Sequence, residues 1–334
     1  MGVAAILLLV ANVVYATSYV VTRVALQDVP PTTLALLRLV LGAAVLVPLG
    51  RRGTATAPPP GQRARVFWMG ALGFAAAFAL SHWGLVVSSA TNAALLIVVE
   101  PLTLVVLGPL LLGERLTRRE AAGAAVAVAG ALLVVLNGVP GLTLEILPRW
   151  RGDLLLVLSG VAYASYSLLG RTVLTETNAA AITARSIVWG AVVMAPLAAL
   201  EWAAGARPML TPSAILATLY LALVITAGAY LVWNWALARV EAARAAPFLT
   251  VQPVVGAALG AFVLGDPVTP FTAIGGGRVV VGLWTTVTAG AERILELCPI
   301  VGTRYRTKKP IASSWTCSTS SACPPTAAAT SSTC

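Results

Sequence analysis

The residues best suited to chemistry in this sequence are ionisable side chains inside apolar runs. Glu100 stands in such a run, directly before Pro101. A carboxyl in these surroundings can bind a proton, bind a cationic or amino group of a small molecule, or pair with an arginine, and all three roles stay open. Its counterpart 152 positions later is the uncharged Gln252, directly before Pro253, so no charge role is duplicated. Proline removes one helix hydrogen bond, so Pro101 and Pro253 are predicted helix breaks beside a binding site.

Three arginines also fall inside apolar runs. Arg278 lies eight residues into its run, near mid-depth, and either pairs with Glu100 or binds an anion. Arg38 and Arg185 correspond to each other and lie a little inside their runs, where long side chains reach back to the membrane interface. For these two residues we favour anchoring over substrate binding.

Tyrosines recur at helical spacing in two corresponding runs. Residues three, four or seven positions apart share one face of a helix. Tyr15 and Tyr19 fit this spacing in the first run, as do Tyr163 and Tyr166 in the sixth. Further polar candidates in the third and eighth runs are His82, Tyr230 and Asn234. All of these side chains either line a cavity for a substrate or hydrogen-bond between helices, where each bond contributes about 1 kcal/mol.

No arrangement typical of an enzyme or a metal site occurs in the sequence. There is one histidine, and no phosphate-binding loop of the GxxxxGK type. The four cysteines fall after residue 290 at spacings that match no zinc module, namely Cys298, Cys317, Cys323 and Cys334. We therefore expect no enzymatic activity, no cofactor and no metal, and transport by this chain would draw on an ion or solute gradient.

Composition indicates that lipid surrounds most of the chain. Of 334 residues, 58% are hydrophobic and only 10% are charged, which is more apolar surface than a soluble domain can bury. Apolar runs of about 20 residues, enough to cross the hydrocarbon core, recur along the chain and lack the alternation of barrel strands. We predict an all-α integral membrane protein with ten transmembrane helices, at 3–22, 31–50, 66–87, 91–112, 119–138, 153–171, 179–201, 213–236, 243–264 and 270–289.

The sequence repeats itself at a period near 150. GERLT at 113–117 aligns with GDPVT at 265–269, and YATSYVVTRVAL at 15–26 aligns with YASYSLLGRTVL at 163–174. Each half therefore contains five helices. Because five is odd, the second half starts on the opposite side of the membrane, and the two repeats are inverted.

The distribution of Lys and Arg residues predicts which loops are cytoplasmic and which are periplasmic. With a cytoplasmic N-terminus, fifteen of the 22 Lys and Arg residues fall in inner loops and the tail, four fall in outer loops and three lie within helices. Cytoplasmic loops are enriched in these residues, so both termini are predicted to be cytoplasmic in a multi-pass inner-membrane protein. The same placement accounts for the net charge of +10 without a nucleic acid as partner.

These boundaries divide the chain into four parts. The first repeat occupies 1–138, a periplasmic linker 139–152, the second repeat 153–290 and a tail 291–334. The tail is rich in Ser, Thr and Pro and shows no apolar periodicity, which is typical of a disordered cytoplasmic segment.

Several stretches together resemble a known family. SSATNAALLIVVEP at 88–101, GERLTRREAAGAAVAVAG at 113–130 and YLVWNWALARVEAARAAPFLTVQPV at 230–254 are similar to those of EamA-type permeases of the drug/metabolite transporter superfamily. The resemblance covers about residues 3–289. It implies a ten-helix inner-membrane carrier for small metabolites, often an exporter. The sequence departs from the pattern of this family at two positions, Pro267 after the second Gly-acid pair and Arg278 in the last helix.

Inverted repeats can exchange shapes around a central site, which is the basis of alternating access. We therefore expect a secondary-active transporter that exports amino acids or other small metabolites or drugs, with proton coupling as one way to drive it. It would be a monomer or homodimer in the lipid bilayer. The alternative is a non-transporting polytopic receptor or assembly subunit, for which an inverted repeat with polar stripes offers no advantage.

The predicted topology is tested with a fused reporter enzyme that is active only in the periplasm. We expect activity when the reporter follows residue 268 and none when it follows residue 290, because the last helix separates these positions. The reverse result would overturn both the orientation and the inverted repeat.

Overall fold

The structure, a computed structural model, describes residues 2–51, 60–112, 117–137, 149–176, 179–229, 231–232 and 246–297. Within these ranges every regular element is a helix. Eight of the helices are long and apolar enough to cross a membrane, and Phe248–Leu264 forms a shorter apolar helix. The predicted all-α membrane protein is thus confirmed, while the count of ten spans stays a prediction.

The first repeat contributes five helices in chain order. They are α1 (Gly2–Ala25), α2 (Pro31–Arg51), α3 (Arg63–Val87), α4 in two parts, α4a (Ala90–Leu96) and α4b (Val99–Leu112), and α5 (Arg118–Leu136). Within α3, residues Ala71–Ala76 form a π-helical segment. A turn at residues 97–98 separates the two parts of α4, just before Glu100 and Pro101, where the sequence predicts a break.

The second repeat contributes the corresponding five. They are α6 (Trp150–Glu176), α7 (Ala179–Ala203), α8 (Pro212–Ala229), α9 (Val251–Leu264) and α10 (Pro270–Leu297). Residues Tyr220–Ala229 of α8 are π-helical. A 3-10 turn at Ala246–Thr250 leads into α9, two residues before Pro253.

The duplication extends to the irregular features of the backbone. α4b and α9 are both 14 residues long, and they begin 152 positions apart, as do α5 and α10. The π-helical segments begin at Ala71 and Tyr220, 149 positions apart. The local geometry of the helices is therefore inherited along with the sequence pattern.

Corresponding helices pack against each other in opposite directions. The start of α2 contacts the end of α7, where the Glu201 carboxylate accepts hydrogen bonds from the backbone N–H groups of Thr32 and Thr33 at 3.1 Å. Likewise, the start of α4a contacts the end of α9, where Thr91 N–H donates to the Asp266 carboxylate at 2.8 Å. Antiparallel mates are related by an axis in the membrane plane, as predicted for an inverted repeat.

The most extensive contact between helices joins α5 and α10. A Cβ on Gly282 would lie 2.4 Å from the backbone nitrogen of Ala127, and one on Gly130 would lie 2.6 Å from the carbonyl of Gly275. Only glycine allows two helix backbones to approach this closely in a membrane. The glycines of the two repeats therefore set the spacing of this pair.

Some predictions fall outside the described residues. These are Tyr230 and Asn234, most of the linker and the tail after residue 297. α10 continues to Leu297, eight residues beyond its predicted end. Its last turns contain Glu, Arg and Leu, which are strong helix formers.

Two glycines of α10 test the packing of α5 against α10. Gly282→Leu should lower the thermal midpoint of the purified protein, because overpacking a tight contact destabilises by about 1–3 kcal/mol. Gly277→Leu is the matched control, since a Cβ there would meet nothing within 4 Å. Equal midpoints for the two variants, measured by thermal unfolding in detergent, would show that this contact does not hold the bundle together.

Candidate functional site

Arg38 lies inside the bundle and not at the membrane interface. It is seven residues into α2, about 10 Å along the axis at 1.5 Å per residue, and its side chain is only 9% exposed. Its Nε donates a hydrogen bond to Thr226 Oγ1 at 2.8 Å, and its guanidinium carbon lies 4.4 Å from the centre of the Phe78 ring. The anchoring role expected for Arg38 is therefore wrong.

The π-helical segment of α8 supplies the partner of Arg38. Thr226 Oγ1 donates to the carbonyl of Leu221, five residues earlier, at 2.9 Å. π-helical turns are rare and often occur at functional sites. The bond from Arg38 joins α2 of the first repeat to α8 of the second.

The predicted tyrosines come together beside Arg38. Tyr15 and Tyr19 of α1 both lie within electrostatic range of Arg38, and so does Tyr163 of α6. Tyr166 stacks on Tyr163 with ring centres 6.5 Å apart, and its hydroxyl lies 2.6 Å from Thr183 Oγ1. Helical spacing thus identifies the faces of α1 and α6 that point to the bundle centre.

Glu100 lies near the same tyrosines. It is partly buried, and it is within electrostatic range of Tyr15, Tyr19 and Tyr163. It is the second residue of α4b, and Gly160 of α6 packs against Val99 beside it. In the described part of the chain, no hydrogen bond or ion pair involves the Glu100 carboxyl.

Together these side chains form a polar cluster between the repeats, here called the central cluster: Tyr15, Tyr19, Arg38, Glu100, Tyr163 and Tyr166. Glu100 lies ten residues after the start of α4a, and Tyr15 lies ten residues before the end of α1. At 1.5 Å per residue, each is about 15 Å along its helix from that terminus. That depth is near the middle of a hydrocarbon core of about 30 Å. The cluster therefore occupies the place where inverted-repeat carriers bind their substrates.

His82 supports the cluster from one side. Its side chain is 1% exposed, and its Nδ1 donates to the carbonyl of Pro31 at 3.0 Å. Its ring stacks on Phe78 with ring centres 6.0 Å apart. His82 thus joins α3 to the start of α2 and holds the aromatic ring that covers Arg38.

Gln252 is engaged between helices. Its Nε2 donates to Asn12 Oδ1 at 2.7 Å, and Asn12 Nδ2 donates to the carbonyl of Leu8 at 2.8 Å. This chain of bonds joins α9 to α1. The Gln252 side chain thus makes a hydrogen bond between helices, whereas no such bond is described for the carboxyl of its counterpart Glu100.

Arg278 lies away from the central cluster. It is more than a third exposed on α10, and no ion pair between it and Glu100 occurs within the described ranges. The proposed pairing of Arg278 with Glu100 is therefore not made. Sequence position gave its depth but not the side of the helix that it occupies.

Sequence reasoning missed Thr226 as part of the site. It stands in an apolar run with no charged neighbour, so no signal distinguishes it from a packing threonine. Arg38 did carry a signal, since an arginine inside a membrane span indicates function by default.

One end of the bundle is sealed by hydrogen bonds between the repeats. This end, here called the closed face, carries residues 26–30, 88–89, 204–211 and 265–269. Thr211 Oγ1 donates to the Asp28 carboxylate at 2.5 Å, and Met209 N–H donates to the Asp28 carbonyl at 2.9 Å. Asp153, fully buried, accepts from Ser88 Oγ and from Asn92 Nδ2. All of the connections predicted to be periplasmic that the structure describes meet at this face.

A concave surface elsewhere on the bundle is almost wholly apolar. A groove of about 370 Å³ lies between α4b, α5 and α6, lined by side chains such as Leu102, Leu132 and Val161. Its one hydroxyl, on Thr103, donates to the carbonyl of Val99 at 2.7 Å. The groove offers no free polar group to orient a charged substrate, and the central cluster is the candidate site.

The chain is similar to a known family of membrane transporters and to a solved structure. The EamA-like transporter family matches residues 2–136 and 150–288, one match for each repeat. An uncharacterized transporter of Archaeoglobus fulgidus is 27% identical over 286 residues, covering 84% of this chain and 96% of the relative. A solved crystal structure covers 87% of this chain and 98% of its own, with a TM-score of 0.59 and 23% identity, and shows the same fold.

Two other relatives carry more specific names. A probable terminal-alkyne amino-acid exporter of Streptantibioticus cattleyicolor is 30% identical, covering 83% of this chain and 90% of the relative. A probable amino-acid metabolite efflux pump of Escherichia coli is 26% identical, covering 84% of this chain and 94% of the relative.

Proposed function

Because the chain belongs to the EamA-like transporter family, we propose that it is a secondary-active exporter of amino acids or other small metabolites that works by alternating access. The observation that carries this proposal is the central cluster, in which Arg38 and Glu100 of the first repeat and tyrosines of both repeats lie near mid-depth. The names of two relatives, an amino-acid exporter and an amino-acid metabolite efflux pump, favour amino acids among small metabolites.

The inverted repeats supply the mechanism. Bonds such as that between Thr211 and Asp28 hold the closed face together in one state. Because the repeats are related by symmetry, the second repeat can adopt the shape of the first and open this face while the opposite face closes. A substrate at the central cluster then meets one side of the membrane at a time. We place the closed face in the periplasm on the basis of the loop charges.

Glu100 is the residue that we propose for coupling to protons. Of its three possible roles, pairing with an arginine is not supported, since no such pair occurs among the described side chains. A carboxyl held in a low-dielectric site binds a proton more readily than one in water. In the proposed cycle, Glu100 takes up a proton from one side and releases it to the other, and the gradient drives export.

The function is tested by overexpression and then by reconstitution. Cells that overexpress the protein should resist toxic amino-acid analogues, which also identifies a substrate for assays in liposomes. Glu100→Gln keeps the shape but removes the titratable proton, so uptake driven by a pH gradient should fall at least about tenfold. Exchange of substrate down its own gradient should continue.

Glu100→Asp serves as the matched control, because it retains a titratable carboxyl and should retain gradient-driven uptake. Loss of both uptake and exchange in Glu100→Gln would assign Glu100 to substrate binding. Unchanged rates would make the acid structural and contradict the coupling proposal.

A further inference from the structure

The guanidinium of Arg38 has donors that the protein does not use. An arginine carries five N–H donors in a planar fork. Nε is bonded to Thr226, but the two terminal nitrogens make no hydrogen bond or ion pair with any residue that the structure describes. The side chain is nevertheless about nine-tenths buried. A buried cation without a counterion is unfavourable in a membrane. An anionic partner at the two terminal nitrogens would therefore stabilise Arg38.

The fork is also held in a fixed orientation. The bond to Thr226 fixes its Nε edge, and the ring of Phe78 covers one face at 4.4 Å. Phe78 is itself held by stacking against His82. With one edge and one face occupied, the edge with the terminal nitrogens is left for a ligand. Two parallel N–H groups on this edge match the two oxygens of a carboxylate.

The described residues around Arg38 supply no anion that pairs with it. Among the residues that the structure describes, the ionisable groups within electrostatic range of Arg38 are Tyr15, Tyr19, Tyr163 and His82. Tyrosine hydroxyls are donors and acceptors but carry no charge at neutral pH. Glu100 is within electrostatic range of these tyrosines but makes no ion pair with Arg38. The cluster therefore presents a positive group and a separate acid, with tyrosines near both.

We propose that Arg38 binds the carboxylate of the transported molecule and restricts transport to compounds that carry such a group. This inference rests on the proposed function and adds the residue that selects the substrate. An amino acid would place its carboxylate on the Arg38 fork, with its side chain against the aromatic rings. Compounds that share the rest of the structure but lack the carboxylate would leave the guanidinium unpaired and be rejected.

The test compares four probes that differ in their charged groups. L-Phenylalanine and 3-phenylpropionate carry the carboxylate, whereas phenethylamine and L-phenylalanine methyl ester do not. In liposomes containing the full-length protein, L-phenylalanine should exchange across the membrane, and 3-phenylpropionate should compete with it. The two probes without a carboxylate should compete at least about tenfold more weakly, as for loss of hydrogen bonds to a charged group.

Variants of Arg38 locate the selectivity. Arg38→Gln should raise the half-saturating concentration of L-phenylalanine by about 10- to 100-fold and abolish the preference for carboxylates. Arg38→Lys keeps the charge but loses the fork, so an intermediate effect is expected. Arg278→Gln removes an arginine from an exposed position of α10 and should leave exchange unchanged.

A second readout does not depend on transport. Phenylglyoxal modifies accessible arginines, and modification of Arg38 is measured by mass spectrometry of peptides from the wild-type protein. The two carboxylates should protect Arg38, and the amine and the ester should not. If Arg38→Gln fails to fold, this measurement on the wild-type protein still tests whether Arg38 binds the carboxylate.

The outcomes separate this inference from the proposed function. If wild-type protein exchanges L-phenylalanine but shows neither protection nor a carboxylate preference, the role of Arg38 is wrong and the transport function stands. If carboxylates protect Arg38 while no probe is exchanged, the anion site stands and amino-acid transport by this chain is wrong. Absence of both exchange and protection would overturn both.

Discussion

The bond between Arg38 and Thr226 is the interaction on which the central cluster depends. A guanidinium inside a membrane bundle must be oriented by protein groups, because no water is at hand in the hydrocarbon core. Thr226 takes one donor at 2.8 Å and Phe78 covers one face. The π-helical turn of α8 positions Thr226, and the stacking of His82 on Phe78 holds the Phe78 ring in place. Tyr15, Tyr19 and Tyr163 lie within electrostatic range of the same guanidinium.

The scaffold is duplicated, but the charges in it are not. Helix starts, π-helical segments and the prolines of α4b and α9 recur at nearly constant offsets. Glu100, in contrast, corresponds to the uncharged Gln252. An inverted pair of repeats needs equal shapes in order to exchange conformations, whereas a single substrate needs only one set of binding groups. This division explains why the two halves agree in backbone and differ at the cluster.

Much of the fold could be predicted from the sequence, because lipid imposes strong rules on length and charge. Apolar runs identified the helices, and the Glu100–Pro101 pair marked the interruption of α4. The errors concern direction around a helix and choice of partner. Arg38 and Arg278 both lie in apolar runs, yet one is buried against Thr226 and the other is exposed. Gln252 bonds to Asn12, 240 positions away, and no periodicity within one helix can reveal such a pair.

Alternating access requires that the closed face open during transport, and a reversible cross-link tests this requirement most directly. Asp28→Cys and Thr211→Cys, in a protein whose four cysteines are replaced by serine, would place two thiols where a hydrogen bond of 2.5 Å joins the native side chains. Oxidation of this double variant in liposomes should reduce exchange of L-phenylalanine to background, and reduction of the disulfide should restore it, while each single-cysteine variant stays active throughout. Exchange at an unchanged rate with the disulfide intact would contradict the account, because the substrate would then cross without the two repeats separating at this face.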